Sequence, residues 1–223
     1  MSCLTIRELL IKTSAAYKAF KAAYKPGMTC GKMQESFKAS LEKDLPGYKL
    51  KWDFLCGADT VNIDGVTDGD YIPQSGDTVI IDASVSDGKN WCDVCRTYFV
   101  GGVSTAQRRV FNLVLASIRE GEKTLTAGCS AGRMYDSLNA VYKSAGKELV
   151  HHAGHMIGKE PLMQPQFLKN RKEMIEAERC YTIESGLYEE FGLRLENDYQ
   201  IKDNGADNLF EDLLPLILEE YIL

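Results

Sequence analysis

Long apolar segments are missing from this 223-residue sequence. The longest apolar run near the N-terminus, Leu9–Ile11, is too short for the core of a signal peptide or for a membrane-spanning helix. Basic residues are outnumbered, because 26 lysines and arginines stand against 32 aspartates and glutamates. The net charge of −6 argues against a nucleic-acid scaffold. We therefore expect a cytoplasmic protein that binds neither nucleic acid nor a membrane.

Paired cysteine motifs are also scarce. The seven cysteines are an odd number, and only Cys92 and Cys95 form a CxxC pair. A structural zinc site usually needs a second pair, so this motif is weak evidence for zinc. Because Cys95 would share a strand face with Asp93, a thiol near a metal is one interpretation and core packing is the other. Without a signal peptide, the cysteines indicate free thiols in a reducing compartment.

The remaining composition is that of a globular protein, with 44% hydrophobic and 26% charged residues, enough for a sizeable core. Apolar residues recur at helical spacing across residues 5–24, and Thr29 is a suitable N-cap for a second helix. Ser104 begins a capping-box pattern for a third helix, which we expect to end at Gly121.

A β-rich run over residues 78–100 has Asp87 and Gly88 at its middle. Asp-Gly between two such runs is typical of a two-residue hairpin turn. With that turn, Asp82 pairs directly with Asp93, and both carboxylates lie on one face of the sheet. Opposed like charges destabilise a sheet unless a cation lies between them, so a divalent metal is one interpretation. Two solvated aspartates on an exposed face are the other.

An internal repeat extends this pattern to the second half of the chain. Residues 27–37 match residues 128–138 in the order of glycine, hydroxyl, glycine, basic, methionine, acidic and serine positions. The repeat, approximately 5–101 and 104–203, predicts a single domain over residues 1–223 that is built from two related halves.

The second half carries a corresponding pair of acids. Two β-rich runs, 180–188 and 193–201, flank a loop centred on Glu190, which places Glu184 opposite Glu196. Halves related by a pseudo-twofold axis would bring four carboxylates to one site, and two divalent ions balance them in formal charge. An ordinary surface hairpin is the alternative.

All three histidines, His151, His152 and His155, lie within five residues. A lone histidine more often packs in the core or faces solvent, but three beside predicted acid-bearing strands favour a site. Four carboxylates and an imidazole form a mostly oxygen donor set. Such a set suits Mn, Fe, Co or Zn in an active site better than it suits a structural zinc ion.

These motifs resemble those of the pita-bread metallopeptidases, which include methionine aminopeptidases, Xaa-Pro aminopeptidases, prolidases and creatinases. The resemblance covers nearly the whole chain, and the patterns Asp-x-x-Arg-Thr, Ile-Glu-x-Gly-Leu-Tyr and Arg-x-Glu bring it nearest to the Xaa-Pro branch. It implies an α/β (α+β) fold in which two helix–helix–β-hairpin halves surround a central antiparallel sheet. The metal ligands that it implies are Asp82, Asp93, His155, Glu184 and Glu196.

The resemblance also implies roles for these residues. Asp93 and Glu196 would bridge two divalent ions, Asp82 would hold one, and His155 with Glu184 would hold the other. A hydroxide activated by both ions would attack the scissile carbonyl of a peptide and release its N-terminal residue. Glu184 is the candidate general base.

Three further residues bear on the substrate side. His151 falls at a family position that faces substrate, where it is a candidate for catalysis and substrate binding. Arg194 would either orient a bridging carboxylate or form an ordinary strand salt bridge. His152 has no role that the resemblance assigns.

The sequence departs from the family at two other histidine positions. One is expected shortly after Gly158, where the chain reads Lys159–Pro161, and the other precedes the first metal strand, where Asp64 stands. A creatinase-like hydrolase or lyase acting on a small molecule, and a catalytically weak peptide-binding module, are therefore the alternatives to an exopeptidase. The apolar C-terminal run 209–223 would dock on the core or form a homodimer contact.

Overall fold

The computed structural model describes residues 3–202 and 205–223. In this part of the chain, helices and strands alternate in two similar series. The helices are α1 (Cys3–Ala23), α2 (Cys30–Asp44), α3 (Thr105–Thr124) and α4 (Ala131–Ser144). The strands are β1 (Lys49–Cys56), β2 (Thr78–Ser86), β3 (Trp91–Phe99), β4 (His155–Ile157), β5 (Met163–Gln166), β6 (Cys180–Tyr188), β7 (Gly192–Lys202) and β8 (Gly205–Asn208).

The strands form one antiparallel sheet in the order β1-β2-β3-β7-β6-β4-β5, with β8 paired to β7. Two helices and the first hairpin come before the second pair of helices and the second hairpin. The hairpins meet where β3 pairs with β7 through Cys95 and Glu196. This junction lies beside the acids that the sequence singles out.

Matching caps begin the second helix of each series. The Thr29 hydroxyl accepts a hydrogen bond from the Lys32 amide at α2, and the Ser130 hydroxyl accepts one from the Arg133 amide at α4. Both caps follow a glycine with positive φ, Gly27 and Gly128, as the predicted repeat requires. The boundaries of the repeat, and the single domain over residues 1–223, stay predictions.

Gly121 does not end the third helix, contrary to expectation, because α3 continues to Thr124. A Cβ atom at Gly121 would lie 2.7 Å from Cδ1 of Leu138 on α4. The glycine therefore lets two helices approach closely, and its packing role outweighs its low helix propensity.

The helices cover one face of the sheet and leave the acids on the other. Tyr17 of α1 donates hydrogen bonds to the carbonyls of Ile81 and Val94, and alternate residues of β2 pack in the helix-covered core. Asp82 and Ser84 point the opposite way because side chains alternate along a strand. The alternation of β2 thus separates a hydrophobic face from a polar one.

The first hairpin has a different register from the predicted one. Asp82 pairs with Cys95, and Asp93 pairs with Ser84, so the two aspartates are diagonal neighbours rather than partners. The turn is a four-residue loop, in which the Asp87 side chain accepts hydrogen bonds from two amides further along the loop. The pairing shifts by two residues, which keeps both aspartates on one face. The second hairpin confirms its prediction, since Glu184 pairs with Glu196.

The C-terminal segment docks on the core through the fully buried Arg96 side chain. All five guanidinium N–H groups point at neutral oxygen acceptors. These are the Tyr221 hydroxyl (2.9 Å from Nε), the carbonyls of Cys95 and Glu196 (2.8 and 2.7 Å from Nη1), the Asn197 side-chain oxygen and the Leu214 carbonyl (2.6 and 2.7 Å from Nη2). One cation therefore ties both hairpins to the end of the chain.

Buried free thiols occur at Cys30, Cys56, Cys92, Cys95 and Cys129. Cys180 is disulfide-bonded, so the expectation of free thiols is wrong at that position. Cys92 contacts Thr13 on the helix side, whereas Cys95 lies on the acid-bearing face.

No helix in the described ranges is both long and apolar enough to span a lipid bilayer.

Candidate metal centre

A cleft of about 320 Å³ opens on the acid-bearing face of the sheet. It is lined by Lys51, Trp52, Asp53, Asp64, Asp82, Ser84, Asp93, His152, His155, Leu162, Glu184, Arg194 and Glu196. All five residues predicted as metal ligands belong to this lining. The two hairpins and the start of β4 thus bring together side chains from distant parts of the chain.

Asp93, His155 and Glu196 form the tightest group in the cleft. Each offers one ligand atom, and these atoms all lie within 4.8 Å of one another. His155 Nε2 is 3.7 Å from Asp93 Oδ2 and 3.8 Å from Glu196 Oε1. Its Nδ1 lies 3.1 Å from the Met156 carbonyl, so a proton on Nδ1 leaves the Nε2 lone pair facing the acids. This is the arrangement that a metal-binding imidazole needs.

The acids of this group carry unsatisfied oxygens and repel one another. Asp93 Oδ1 and Glu196 Oε1 are buried and have no hydrogen-bond partner. Burial, and then the negative charge of Asp82, raise the pKa of Asp93, while burial and Asp93 raise the pKa of Glu196. Burial raises the pKa of Asp82 to about 7, although Arg194 opposes the shift. A divalent cation would satisfy these oxygens and cancel the repulsion, so the residues fit a metal centre.

Glu184 lies in a different environment from the other acids. Its Oε1 is 3.0 Å from His151 Nδ1, and its Oε2 is 3.3 Å from His152 Nδ1. Burial by itself raises the pKa of Glu184, but His152 and His151 outweigh it and hold that pKa below its usual range. The carboxylate is therefore ionised near neutral pH.

Of the two roles considered for Arg194, its contacts favour a salt bridge between strands, made with Asp82 and Asp53. Its Nε is 3.0 Å from Asp82 Oδ2, and its Nη2 is 3.0 Å from Asp53 Oδ2. Asp53 lies beside Asp82 because β1 pairs these two residues. Sequence reasoning missed Asp53, since no tight turn joins β1 to β2 and nothing local sets their register.

Two further side chains hold Asp93 in place. Ser84 donates a hydrogen bond of 2.8 Å to Asp93 Oδ2, and Asp198 accepts one of 3.1 Å from the Asp93 amide. Ser84 shares the strand face of Asp82, so alternation along β2 could have identified it. Asp198 is fully buried on β7, two residues after Glu196.

The histidines differ in their access to the cleft. The His151 side chain is 5% exposed and is not among the residues that line the cleft, whereas that of His152 is 24% exposed and lines it. Asp64, which stands where a family histidine is expected, lines the cleft as well. His151 therefore contacts Glu184 but does not reach the open space where a substrate would sit.

The metal-free protein should lose stability as the pH rises from about 5 to about 7. Asp82, Asp93 and Glu196 have raised pKa values in the folded state, so that state binds more protons than the unfolded chain in this window. Burial lowers the pKa of His155 to about 4, which opposes the trend, but it is one group against three.

Urea unfolding of the metal-stripped protein across this pH range measures the effect. With Mn²⁺ present the trend should reverse, because metal binding favours deprotonated ligands. A metal-free unfolding free energy that rises from about pH 5 to about pH 7 would contradict the prediction.

The sequence is similar to that of known peptidases. The sequence model of metallopeptidase family M24 matches residues 5–203. An uncharacterized peptidase of Methanocaldococcus jannaschii is 30% identical over 135 residues, which cover 58% of this chain and 38% of the relative. The Xaa-Pro dipeptidase of Pyrococcus furiosus is 26% identical over 140 residues, which cover 61% of this chain and 40% of the relative. The chain spans about 40% of the length of these curated relatives.

Solved structures show the same fold at low identity. The prolidase from Pyrococcus furiosus superposes with a TM-score of 0.83 at 22% identity, covering 91% of this chain and 63% of that one. The Xaa-Pro dipeptidase from Bacillus anthracis gives 0.86 at 20% identity, covering 93% and 60%. The predicted pita-bread fold is therefore confirmed. With a family match over residues 5–203, this chain belongs to metallopeptidase family M24.

Proposed function

We propose that this chain is a metal-dependent exopeptidase that releases the N-terminal residue from short peptides, with an Xaa-Pro-like preference. The observation that carries the proposal is the buried group of Asp93, His155 and Glu196, with its unsatisfied carboxylate oxygens. Relatives named as Xaa-Pro dipeptidases support the substrate class.

The donor set supports two divalent ions, of which Mn, Co, Fe and Zn are the candidates. Asp93 and Glu196, the two acids of the tightest group in the cleft, would help to hold both ions. Asp82 would hold one of the ions, and His155 with Glu184 would hold the other. When bound, such ions lower the pKa of a water molecule and polarise a carbonyl group.

Glu184 is the residue proposed to move protons. Its carboxylate is ionised and hydrogen-bonding side chains flank it, so it can accept a proton from the attacking water and pass it to the leaving nitrogen. Arg194 Nε lies 3.0 Å from Asp82 Oδ2 and would fix the orientation of that carboxylate. These residues would position and deprotonate the reactants rather than form a covalent intermediate.

The size and charge of the cleft support a short peptide as the substrate. Its volume of about 320 Å³ is at the lower end of the range for small-molecule sites. Asp64 remains as an acid without a role in holding metal, and it would attract a free α-ammonium group. A folded protein could present only a flexible end to such a space.

A panel of peptides tests the proposal. The Mn²⁺-loaded protein is incubated with Ala-Pro, Met-Pro and Met-Ala peptides and with their N-acetylated forms, and the released amino acid is measured by mass spectrometry. We expect the free-amine Xaa-Pro peptides to be cleaved more than about 100-fold faster than the acetylated controls. Equal rates for both forms, or no release from any peptide, would contradict an exopeptidase.

A second candidate is a hydrolase or lyase that acts on a small molecule. It is favoured by Asp64 and Leu162, which line the cleft near positions where the family resemblance leads one to expect histidines. Creatine and a set of small amides and amidines, tested under the same conditions, distinguish it from the exopeptidase. Turnover of one of these with no peptide cleavage would establish this alternative.

A further inference from the structure

The three histidines form a contiguous cluster, but only one of them has a ring that is both uncommitted and open to the cleft. The rings of His151 and His152 are 6.0 Å apart between centroids, and those of His152 and His155 are 5.5 Å apart. Their surroundings differ enough to assign a separate task to each.

His155 is committed to the metal centre. Its Nδ1 faces the Met156 carbonyl, and its Nε2 faces Asp93 and Glu196. The His155 side chain is 3% exposed, so it cannot contact a substrate without leaving that position.

His151 is enclosed by the sheet. Its Nδ1 lies 2.6 Å from the His152 carbonyl and 3.0 Å from Glu184 Oε1. Its Nε2 is buried without a partner and would be 3.0 Å from a Cβ atom at Gly186, where the Tyr188 hydroxyl also points. Both ring nitrogens therefore face protein, and strand β6 closes the space around Nε2.

His152 has the geometry that the other two lack. Its side chain is 24% exposed and lines the cleft beside Glu184. Its Nδ1 is buried and lies 3.3 Å from Glu184 Oε2, but the two atoms form no hydrogen bond. The ring is therefore not fixed in place by that contact. It is free to present its Nε2 to a ligand in the cleft.

We infer that His152, rather than His151, is the imidazole that contacts the peptide, forming a hydrogen bond with it through Nε2. The inference rests on the proposed exopeptidase function and assigns its substrate-side residue. His152 would then supply an imidazole to a cleft in which Asp64 stands where the family resemblance leads one to expect a histidine.

A binding measurement tests the assignment without relying on turnover. The full chain contains three histidines, so long-range ¹H–¹⁵N spectra of the Zn²⁺-loaded protein contain three ring systems. Single His→Asn variants at positions 151 and 152 assign the signals. An uncleavable ketomethylene analogue of Ala-Pro with a free amine is then titrated into the parent chain. The expected result is a shift of the His152 Nε2 signal, with the His151 signals unchanged.

Each other outcome overturns the inference in a recognisable way. A shift confined to His151 would show that the peptide reaches the enclosed ring, and would leave the exopeptidase proposal standing. Binding detected by calorimetry without any shift at His152 would also overturn the inference and leave the exopeptidase proposal standing. No binding of the analogue at all would overturn the inference together with the proposed function.

Kinetics provide a second readout. His152→Ala should lower kcat/KM for the peptide cleaved fastest by about 10- to 100-fold, the loss expected for one hydrogen bond to the substrate. Metal content measured by elemental analysis should stay that of the parent chain, which a merely structural disruption of Glu184 would not allow. An unchanged kcat/KM would overturn the inference.

Discussion

Asp93→Asn is expected to abolish metal retention and peptide release while making the metal-free protein more stable. The carboxylate belongs to the buried group with His155 and Glu196, so its loss should weaken metal binding by more than the roughly 100-fold that outer residues cause. Without metal, the same carboxylate is desolvated and repelled by its neighbours. Removing its charge should then raise the unfolding free energy of the metal-free protein above that of the parent chain.

Elemental analysis after incubation with Mn²⁺ and desalting measures the first effect, and urea unfolding in a chelator measures the second. The parent chain should retain about two equivalents of metal, enough to balance four carboxylates. Asp198→Asn is the matched control. Asp198 is also fully buried with its pKa raised by burial, does not belong to the metal-binding group, and an Asn side-chain oxygen can still accept the hydrogen bond from the Asp93 amide. This variant should keep the metal.

Retention of metal by Asp93→Asn would remove Asp93 from the ligand set. A parent chain that binds no metal would reject the hydrolytic mechanism as a whole. If the metal-free Asp93→Asn protein were instead less stable than the parent, its hydrogen bond from Ser84 would outweigh the repulsion that we describe.

Arg96→Met should strongly destabilise the protein without touching the metal centre. The substitution keeps most of the side-chain volume but removes the Arg96 donors from buried oxygen acceptors, including the Glu196 carbonyl and the Asn197 side-chain oxygen. Each buried acceptor left unsatisfied costs about 1–3 kcal/mol, so a total loss of about 4 kcal/mol or more is expected. That is a large fraction of the roughly 5–15 kcal/mol that stabilises a typical domain.

Urea unfolding of the metal-loaded protein measures this loss. Arg108→Met is the matched control, because Arg108 also reaches the C-terminal segment, through an exposed ion pair with Glu219 of 2.9 Å. Exposed pairs contribute about 0–1 kcal/mol, so the control should unfold close to the parent. Similar losses in the two variants would mean that the buried hydrogen bonds of Arg96 add little.

The two hairpins show how much of the strand pairing can be predicted from the sequence. The loop around Glu190 is three residues long between Tyr188 and Gly192, and the predicted pairing of Glu184 with Glu196 is correct. The Asp87–Asn90 loop contains the Asp-Gly pair, yet an Asx hydrogen-bonding pattern makes it longer than the two-residue turn that this dipeptide favours. The predicted face of Asp82 is nevertheless correct, because a pairing shift of two residues leaves each side chain on the same face of the sheet.

The glycines also include positions whose role the sequence predicts and one whose role only the folded structure reveals. Gly27 and Gly128 have positive φ and precede the helix caps, as their position in the sequence suggests. Gly121 looks like a helix terminator but lies inside α3, where a side chain would collide with Leu138. Propensity is local, whereas the space that another helix needs is visible only after the chain has folded.

The sequence by itself determined which residues carry the chemistry. Alternation along the strands selected the face of the four acids, the repeat linked the two pairs, and the spacing of the histidines singled out one short segment. These are local or periodic signals, and chemistry of that kind is encoded in residue type and spacing.

Only the tertiary structure decided which of these groups touch. The pairing of β1 with β2 brings Asp53 to Arg194, and the junction of β3 with β7 joins the two halves at the acids. It also encloses His151 and leaves His152 open, although the two are adjacent in the chain. The enclosure of His151 depends on strand β6 and on Tyr188 at its end, which are distant from the histidines in the chain, and no local pattern reports on such contacts.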